Sequence, residues 1–256
     1  MDLLALEKEY PIHVYETGPD GKLSLYSLFD FFQDIASDHA VKLGYGRDDL
    51  LRYNNFWVLS RIYAEIDQWP EWGNTITVKT WPRGTEKLFA LRDFEVWSPD
   101  GKILARATSS WLIIDMTSRR IQRPDDTLSS YRSFINRAGT LPRNAMKLEP
   151  ASPDGHSARE LNVRISDLDV NLHTNNVRYL KWVTDSYDLD FVMKNTPYSA
   201  EINYLAESRF NDNIRIRISE EKGTEKTFNH SIFRISDETE LCRIRIKWKN
   251  NHIKQS

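Results

Sequence analysis

The chain has 256 residues, 40% of them hydrophobic and 12% aromatic, with a formal net charge of −2. That length supports one large core or two smaller ones, and the near-neutral charge excludes a general attraction to nucleic acid or anionic membrane. A single cysteine, Cys242, rules out an internal disulfide or a cysteine-based metal cluster and points to a reducing, cytoplasmic setting; no window is apolar enough to span a membrane, and Met1–Lys8 is too short and acidic for a signal peptide.

In chain order, Gly18-Pro19-Asp20-Gly21 marks a turn, and Ser24 stands as an N-cap before Leu25, Leu28, Phe29, Phe32, Ile35 and Ala36. Those apolar residues recur at helical spacing and predict a buried-face helix. Alternation then predicts strands over Thr75–Trp81, Leu88–Trp97 and Ile103–Ile114, with Ser98-Pro99-Asp100-Gly101 as a hairpin turn. From about Arg119 to Glu160 the chain is polar and carries four prolines, which predicts a surface linker. Asn175 then caps a second helix running to Tyr187, with Val177, Leu180, Thr184 and Tyr187 on one stripe. Strands follow over Ser199–Ser208, Ile214–Ser219, Thr227–Ile235 and Leu241–Lys249. In the last, Ile244, Ile246 and Trp248 alternate with Arg243, Arg245 and Lys247, the period of a half-buried strand.

The chain therefore reads twice. Gly84-Thr85-Glu86-Lys87 even reappears as Gly223-Thr224-Glu225-Lys226, each copy between a strand end and a β-rich run, as an internal duplication would leave it. Each half is a short strand, one long helix and an antiparallel meander. One helix covers such a sheet only if the sheet curls around it. The expectation is an α+β protein of two tandem hot-dog domains, residues 1–120 and 161–256, joined by a linker over 121–160. Phe29, Phe32, Phe56, Trp57, Phe89 and Phe94 of the first half are equally readable as plain core or as the lining of an apolar pocket.

The densest polar cluster is Asp167-Leu168-Asp169-Val170-Asn171-Leu172-His173-Thr174-Asn175-Asn176. Its opening resembles a calcium loop, but Leu172 and Arg178 stand where such a loop needs Gly and Glu; no metal is expected. The cluster ends at a helix N-terminus, where unpaired N–H groups and the helix dipole favour developing negative charge. Thr174, Asn175 and Asn176 are therefore candidates for an oxyanion site, with Asn171 and His173 just upstream. The first half has no histidine at the same place. Arg243, Arg245 and Lys247, or Arg215 and Arg217, could face an acidic partner, although alternating charges usually form a strand's solvated face.

The segment Ser166–Tyr179, together with Phe56-Trp57-Val58-Leu59-Ser60-Arg61, Trp69-Pro70-Glu71-Trp72-Gly73 and Ile202-Asn203-Tyr204-Leu205-Ala206-Glu207-Ser208, closely resembles the signatures of the acyl-acyl carrier protein thioesterases of plant plastids and bacteria. The resemblance implies a tandem hot-dog fold in one polypeptide. It places Asp169, Asn171 and His173 at catalytic positions of the family motif and Glu207 at an acidic residue of the later motif that has also been assigned a catalytic role. Plant members carry a cysteine right after that glutamate; here the residue is Ser208. The departure favours a carboxylate-activated water over a cysteine nucleophile, and Ser208 is either a nucleophile or an orienting residue.

The expected function is therefore hydrolysis of fatty acyl-acyl carrier protein to free fatty acid and carrier thiol, in fatty acid biosynthesis. No cofactor is needed, because a thioester is already activated. The expected partner is an acyl carrier protein bearing acyl-phosphopantetheine, with no nucleic acid and no membrane span, and the fold is compatible with a homodimer. Glu207 is preferred as general base, with Asp169 orienting Asn171 and His173, although either carboxylate can serve. A hot-dog dehydratase or hydratase on acyl thioesters and a non-catalytic acyl-carrier binding module are the alternatives.

Overall fold

The computed structural model describes residues 4–124 and 138–251. The chain divides into two units, residues 1–145 and 146–256.

In the first unit, β1 (Leu6–Pro11) leads through a 3-10 turn at Val14–Glu16 to α1 (Leu25–Lys42) and α2 (Arg47–Arg52). Then come β2 (Asn55–Ile66), β3 (Thr75–Glu86), β4 (Phe89–Trp97), β5 (Ile103–Asp115) and the short β6 (Ile121–Gln122). The strands form an antiparallel array in the order β1-β3-β4-β5-β2, with β6 beside β5. The Ser24 hydroxyl accepts from the Ser27 N–H, capping α1 as its position predicts. Over 18 residues α1 buries Leu25, Leu28, Phe29, Phe32, Ile35 and Ala36. Phe32 meets Phe94 of β4 at 4.8 Å between ring centroids, and Phe31 stacks on Tyr10 of β1 at 4.5 Å. Phe29, Phe32 and Phe94 are thus buried core; Phe56, Trp57 and Phe89 are half-buried.

The second unit repeats this order. A strand β7 (His156–Asn162) and a 3-10 turn at Ile165–Asp167 precede α3 (Asn176–Thr184) and α4 (Leu189–Lys194). They are followed by β8 (Asn195–Tyr204), β9 (Asn213–Glu220), β10 (Lys226–Arg234) and β11 (Thr239–Asn250). The strand order β7-β9-β10-β11-β8 matches β1-β3-β4-β5-β2 element for element. The two Gly-Thr-Glu-Lys copies fall at equivalent β3–β4 and β9–β10 hairpins, so both come from the same place in a duplicated unit. In β11, Ile244, Ile246 and Trp248 are buried and Arg243, Arg245 and Lys247 half-exposed, as their alternation predicts.

Three details differ from the expectation. The second helix is not long: α3 stops after 9 residues at Asp185, and a turn leads to α4, entered through Asp188. Tyr187 therefore leaves the helical stripe and packs edge-on to Phe228, His230 and Trp248. Strand β8 ends at Tyr204 rather than Ser208, because the Leu205 and Ala206 N–H groups both turn onto the Leu241 carbonyl. The polar stretch over 121–160 is, where described, built into the units. Thr140 N–H donates to Asp93 Oδ2 in the first. In the second, the N–H groups of Met146, Leu148 and Ala151 donate to side chains of Glu201, Asn203 and Ser231. Side chains of the sheet thus satisfy an extended strap that has no strand partner, and β7 opens the second sheet before residue 161.

Candidate active site

Two loops of the second unit build the site, one entering α3 and one leaving β8. In the first loop, Asp169 N–H donates to the His173 carbonyl at 2.8 Å, and Leu172 N–H returns to the Asp169 carbonyl at 3.1 Å. Leu172 sits at φ 61° to close this turn, a left-handed conformation uncommon for a branched side chain. Asp169 Oδ1 accepts the Asn171 N–H at 2.8 Å and the His173 N–H at 3.2 Å. The Asp169 carboxylate is thus the internal brace of the loop that presents Asn171 and His173.

The second loop is stitched onto the first. Thr174 N–H donates to the Ser208 carbonyl at 2.9 Å, and His173 faces Arg209 across an antiparallel bridge. This brings Glu207 to the imidazole, with His173 Nε2 3.3 Å from Glu207 Oε2. Both side chains are partly exposed, His173 at 25% and Glu207 at 38%, so the pair is open to solvent. Arg234, at the end of β10, holds the Glu207 carbonyl at 3.1 Å and chelates Asp237.

Ser208 lies on the other side of this backbone and is wholly buried. Its Oγ is 2.7 Å from Thr174 Oγ1 and 2.8 Å from Tyr179 OH, and its N–H donates to Tyr179 OH at 3.2 Å. Burial pushes the Tyr179 hydroxyl well above its usual pKa, so it remains a neutral partner. Cys242 is also fully buried, and burial raises its thiol far above the ordinary value, which keeps it from acting as a thiolate at neutral pH.

At the entry to α3, the Asn175 N–H is used on the Asp167 carbonyl, and its side chain caps the helix by accepting from Val177 N–H at 2.9 Å. Arg178 N–H turns onto the Asn175 carbonyl. Of the three residues nominated for the oxyanion site, Thr174 and Asn175 thus have engaged amides. Among the described residues the Asn176 N–H is left without an acceptor, at the positive end of the helix. No group of three or more metal-ligating side chains gathers among the described residues, and no helix there is long and apolar enough to cross a membrane.

Sequence reasoning missed Tyr179 and Arg234. Tyr179 lies off the Val177–Leu180 stripe, and only the need of a buried hydroxyl for a partner marks it. Arg234 is joined to Glu207 solely by tertiary structure. Of the cations offered for an acidic partner, Arg217 lies over the Phe233 ring and the other four are neutralised internally. Arg245 pairs with Glu201 at 2.6 Å, Arg243 with Glu240 at 2.5 Å, Lys247 with Glu225 at 2.8 Å and Arg215 with Glu160 and Glu238 at 3.2 Å.

A duplicated sheet-and-helix unit defines a tandem hot-dog protein, and its second copy brings a carboxylate and a histidine together near the start of α3. Residues 4–131 match the acyl-ACP thioesterase N-terminal domain, and residues 151–250 match the C-terminal domain; the chain belongs to the acyl-ACP thioesterase family. It is 29% identical to the palmitoyl-acyl carrier protein thioesterase of Gossypium hirsutum, over 100% of this chain and 66% of that protein. It is 26% identical to the oleoyl-acyl carrier protein thioesterase of Coriandrum sativum, over 82% of this chain and 61% of that one. The chain thus spans less than two thirds of the length of these curated relatives. In fold it is similar to an acyl-ACP thioesterase from Bacteroides thetaiotaomicron (TM-score 0.87, 24% identity, 97% of this chain and 100% of that one). It is likewise similar to the 12:0-ACP thioesterase from Umbellularia californica (TM-score 0.86, 23% identity, 97% and 98%).

Proposed function

We propose that this protein hydrolyses the thioester of a fatty acyl-acyl carrier protein, with Glu207 as general base. The observation that carries this reading is the Glu207–His173 pair, 3.3 Å apart and partly exposed, beside a helix N-terminus with an unused N–H. Membership of the thioesterase family and the names of the relatives supply the substrate class.

In this mechanism Glu207 takes a proton from water as the oxygen attacks the thioester carbonyl carbon. The carbonyl oxygen becomes an oxyanion, which the Asn176 N–H and the dipole of α3 stabilise; a single donor of this kind is worth about 10²–10³-fold in rate. Collapse breaks the C–S bond. The thiolate recovers a proton through His173, which shares its Nε2 side with Glu207, and the fatty acid and carrier thiol leave. Asp169 acts through the loop it braces and is a positioning residue. Asn171, presented by the same turn, aligns the water or the carbonyl. Ser208, buried against Thr174 and Tyr179, fits the orienting role better than that of a nucleophile, since an acyl group cannot reach it without opening the loop.

The test is thiol release from acyl carrier protein thioesters of graded chain length, with coenzyme A thioesters alongside. Release from at least one carrier thioester is expected. Hydration or dehydration of an enoyl or hydroxyacyl thioester without thiol release would replace this reading with the dehydratase one. Tight binding without either reaction would leave a binding module.

A further inference from the structure

In the second unit the arginines differ in what they face; Arg178, half-buried on α3, keeps its Nε buried without a hydrogen-bond partner among the described residues. Arg159, Arg215, Arg234, Arg243 and Arg245 each face a carboxylate, and Arg217 lies over the Phe233 ring. Arg164 and Arg209 are exposed, and among the described residues their guanidinium groups have neither an ion pair nor a hydrogen bond. The carboxylates three residues further on bond the backbone N–H groups of the same arginines. Asp167 Oδ2 accepts the Arg164 N–H, and Asp212 Oδ2 accepts the Arg209 N–H, both at 2.8 Å. Both arginines belong to the loops that carry the site. Arg209 is bridged to His173. Arg164 follows Val163, whose N–H and C=O are bonded to Asp212 and Asn211 of the Arg209 turn.

The same loops expose apolar side chains that a folded chain ordinarily covers: Ile165 at 77%, Leu172 at 72% and Phe210 at 47%. Large exposed apolar residues grouped with unpaired cations mark an interaction surface. The first unit has the same backbone but not the same charges, with His13 in place of Arg164 and Glu71 in place of Arg209. The two positive charges were therefore acquired, or kept, only beside the acid–base pair.

We propose that Arg164, Arg209, Ile165, Leu172 and Phe210 form the docking surface for the acidic face of the acyl carrier protein, which presents its thioester to Glu207 and His173; this rests on the thioesterase reading. Charge complementarity argues for that occupant: an acidic protein with a few apolar contacts fits two unpaired arginines whose loops also expose Ile165, Leu172 and Phe210. On β9 and β11, by contrast, Arg215, Arg243, Arg245 and Lys247 are already matched by carboxylates.

The experiment compares wild type, Arg164→Glu, Arg209→Glu and the double variant on three thioesters of one fatty acid: on acyl carrier protein, on coenzyme A and on N-acetylcysteamine. Each single variant is expected to lose about tenfold in kcat/KM on the carrier substrate, and the double variant roughly 100-fold, mostly through KM. The N-acetylcysteamine ester should be hydrolysed within about twofold of wild type, and the salt dependence of the carrier reaction should flatten in the double variant. Carrier kinetics unchanged in the double variant would overturn the proposal. So would an equal loss on N-acetylcysteamine, which would mean local damage to the site, or an equal loss on coenzyme A, which would mean that the arginines read the phosphopantetheine and not the protein. A wild type that cleaves none of the three would sink the thioesterase reading itself.

Discussion

In the second unit, residues 163–175 and 205–212 carry the Glu207–His173 pair; in the first, residues 12–24 and 67–74 follow the same path without it. Ile12 and Gly73–Asn74 exchange the bonds that Val163 and Asn211–Asp212 exchange. Gly18 N–H reaches the Lys22 carbonyl at 2.8 Å, as Asp169 N–H reaches His173. Leu23 N–H donates to the Pro70 carbonyl as Thr174 N–H does to Ser208, and Ser24 N–H to Glu16 as Asn175 N–H does to Asp167. Gly21 at φ 74° and Gly73 at φ 80° occupy the left-handed places of Leu172 at 61° and Asn211 at 67°. At the chemically decisive positions the residues are Gly18, Asp20, Lys22 and Trp69 in the first unit, and Asp169, Asn171, His173 and Glu207 in the second. The lesson is that this loop pair is a scaffold first. Its backbone closes in the first copy with Lys22 and Trp69 at the places of His173 and Glu207, so those two side chains are not needed to hold the second copy together.

That comparison is most exposed at the acid–base pair. Glu207→Ala and His173→Lys, the latter importing the first unit's residue, should each cut turnover by about 10²–10⁴-fold, while thermal melts stay near wild type. A large fall in melting temperature would show that the pair is structural and that the two loops are not equivalent scaffolds.

The units also differ in the polar pair each buries under its helices. The first places Arg92 Nη1 3.1 Å from His39 Nδ1. The second places His230 between the Tyr187 hydroxyl at 2.9 Å and the Ile244 carbonyl at 3.0 Å. Burial lowers the His230 pKa to about 4, opposed by the bond to Ile244. Below pH 6.5 the unfolded chain therefore binds a proton that the folded one refuses, and stability is lost as pH falls from 6.5 towards 4. Chemical denaturation at pH 7 and 4.5 should show about 2–3 kcal/mol of this loss in wild type, and a shallower slope in His230→Gln. Equal slopes would remove His230 as its source.

Ser208 stands where the first unit has Pro70. Ser208→Ala would leave the Thr174 and Tyr179 hydroxyls without their shared partner and should cost about 1–3 kcal/mol of stability, with turnover of the folded enzyme reduced only modestly. Complete loss of turnover in a well-folded variant would instead make Ser208 a nucleophile. The smallest effect is expected at Leu172, 72% exposed and strained at positive φ. Leu172→Gly, which restores the residue type of Gly21, should raise stability by about 0.5 kcal/mol; a measurable drop would mean that the exposed side chain has a packing partner.

Much of this was legible in the chain. Helix α1 follows from Ser24 and the Leu25–Ala36 spacing, because capping and periodicity are local. Strand β11 follows from the alternation of Ile244, Ile246 and Trp248 with cations, because a strand's two faces differ in solvent exposure. The repeat follows from two like hairpins, and the Asp167–Asn176 cluster announces itself by its density of polar groups before a helix. What the sequence alone determined is thus the local elements, their duplication and the polar cluster from which the candidate site residues are drawn.

Only the tertiary structure decided how those side chains are used. Glu207 and His173 lie far apart in the chain and meet because Thr174 and Ser208 share a backbone bond. Asp169 proves to be the brace of its loop because its carboxylate is captured by two amides. The nominated oxyanion site narrows to Asn176 because its neighbours' N–H groups are used elsewhere. Ser208 turns inward to Tyr179, and the cations of β11 are matched by carboxylates from β8, from β11 itself and from the β9–β10 turn. Each of these depends on which donor finds which acceptor across separate segments, a competition that no local pattern in the sequence encodes.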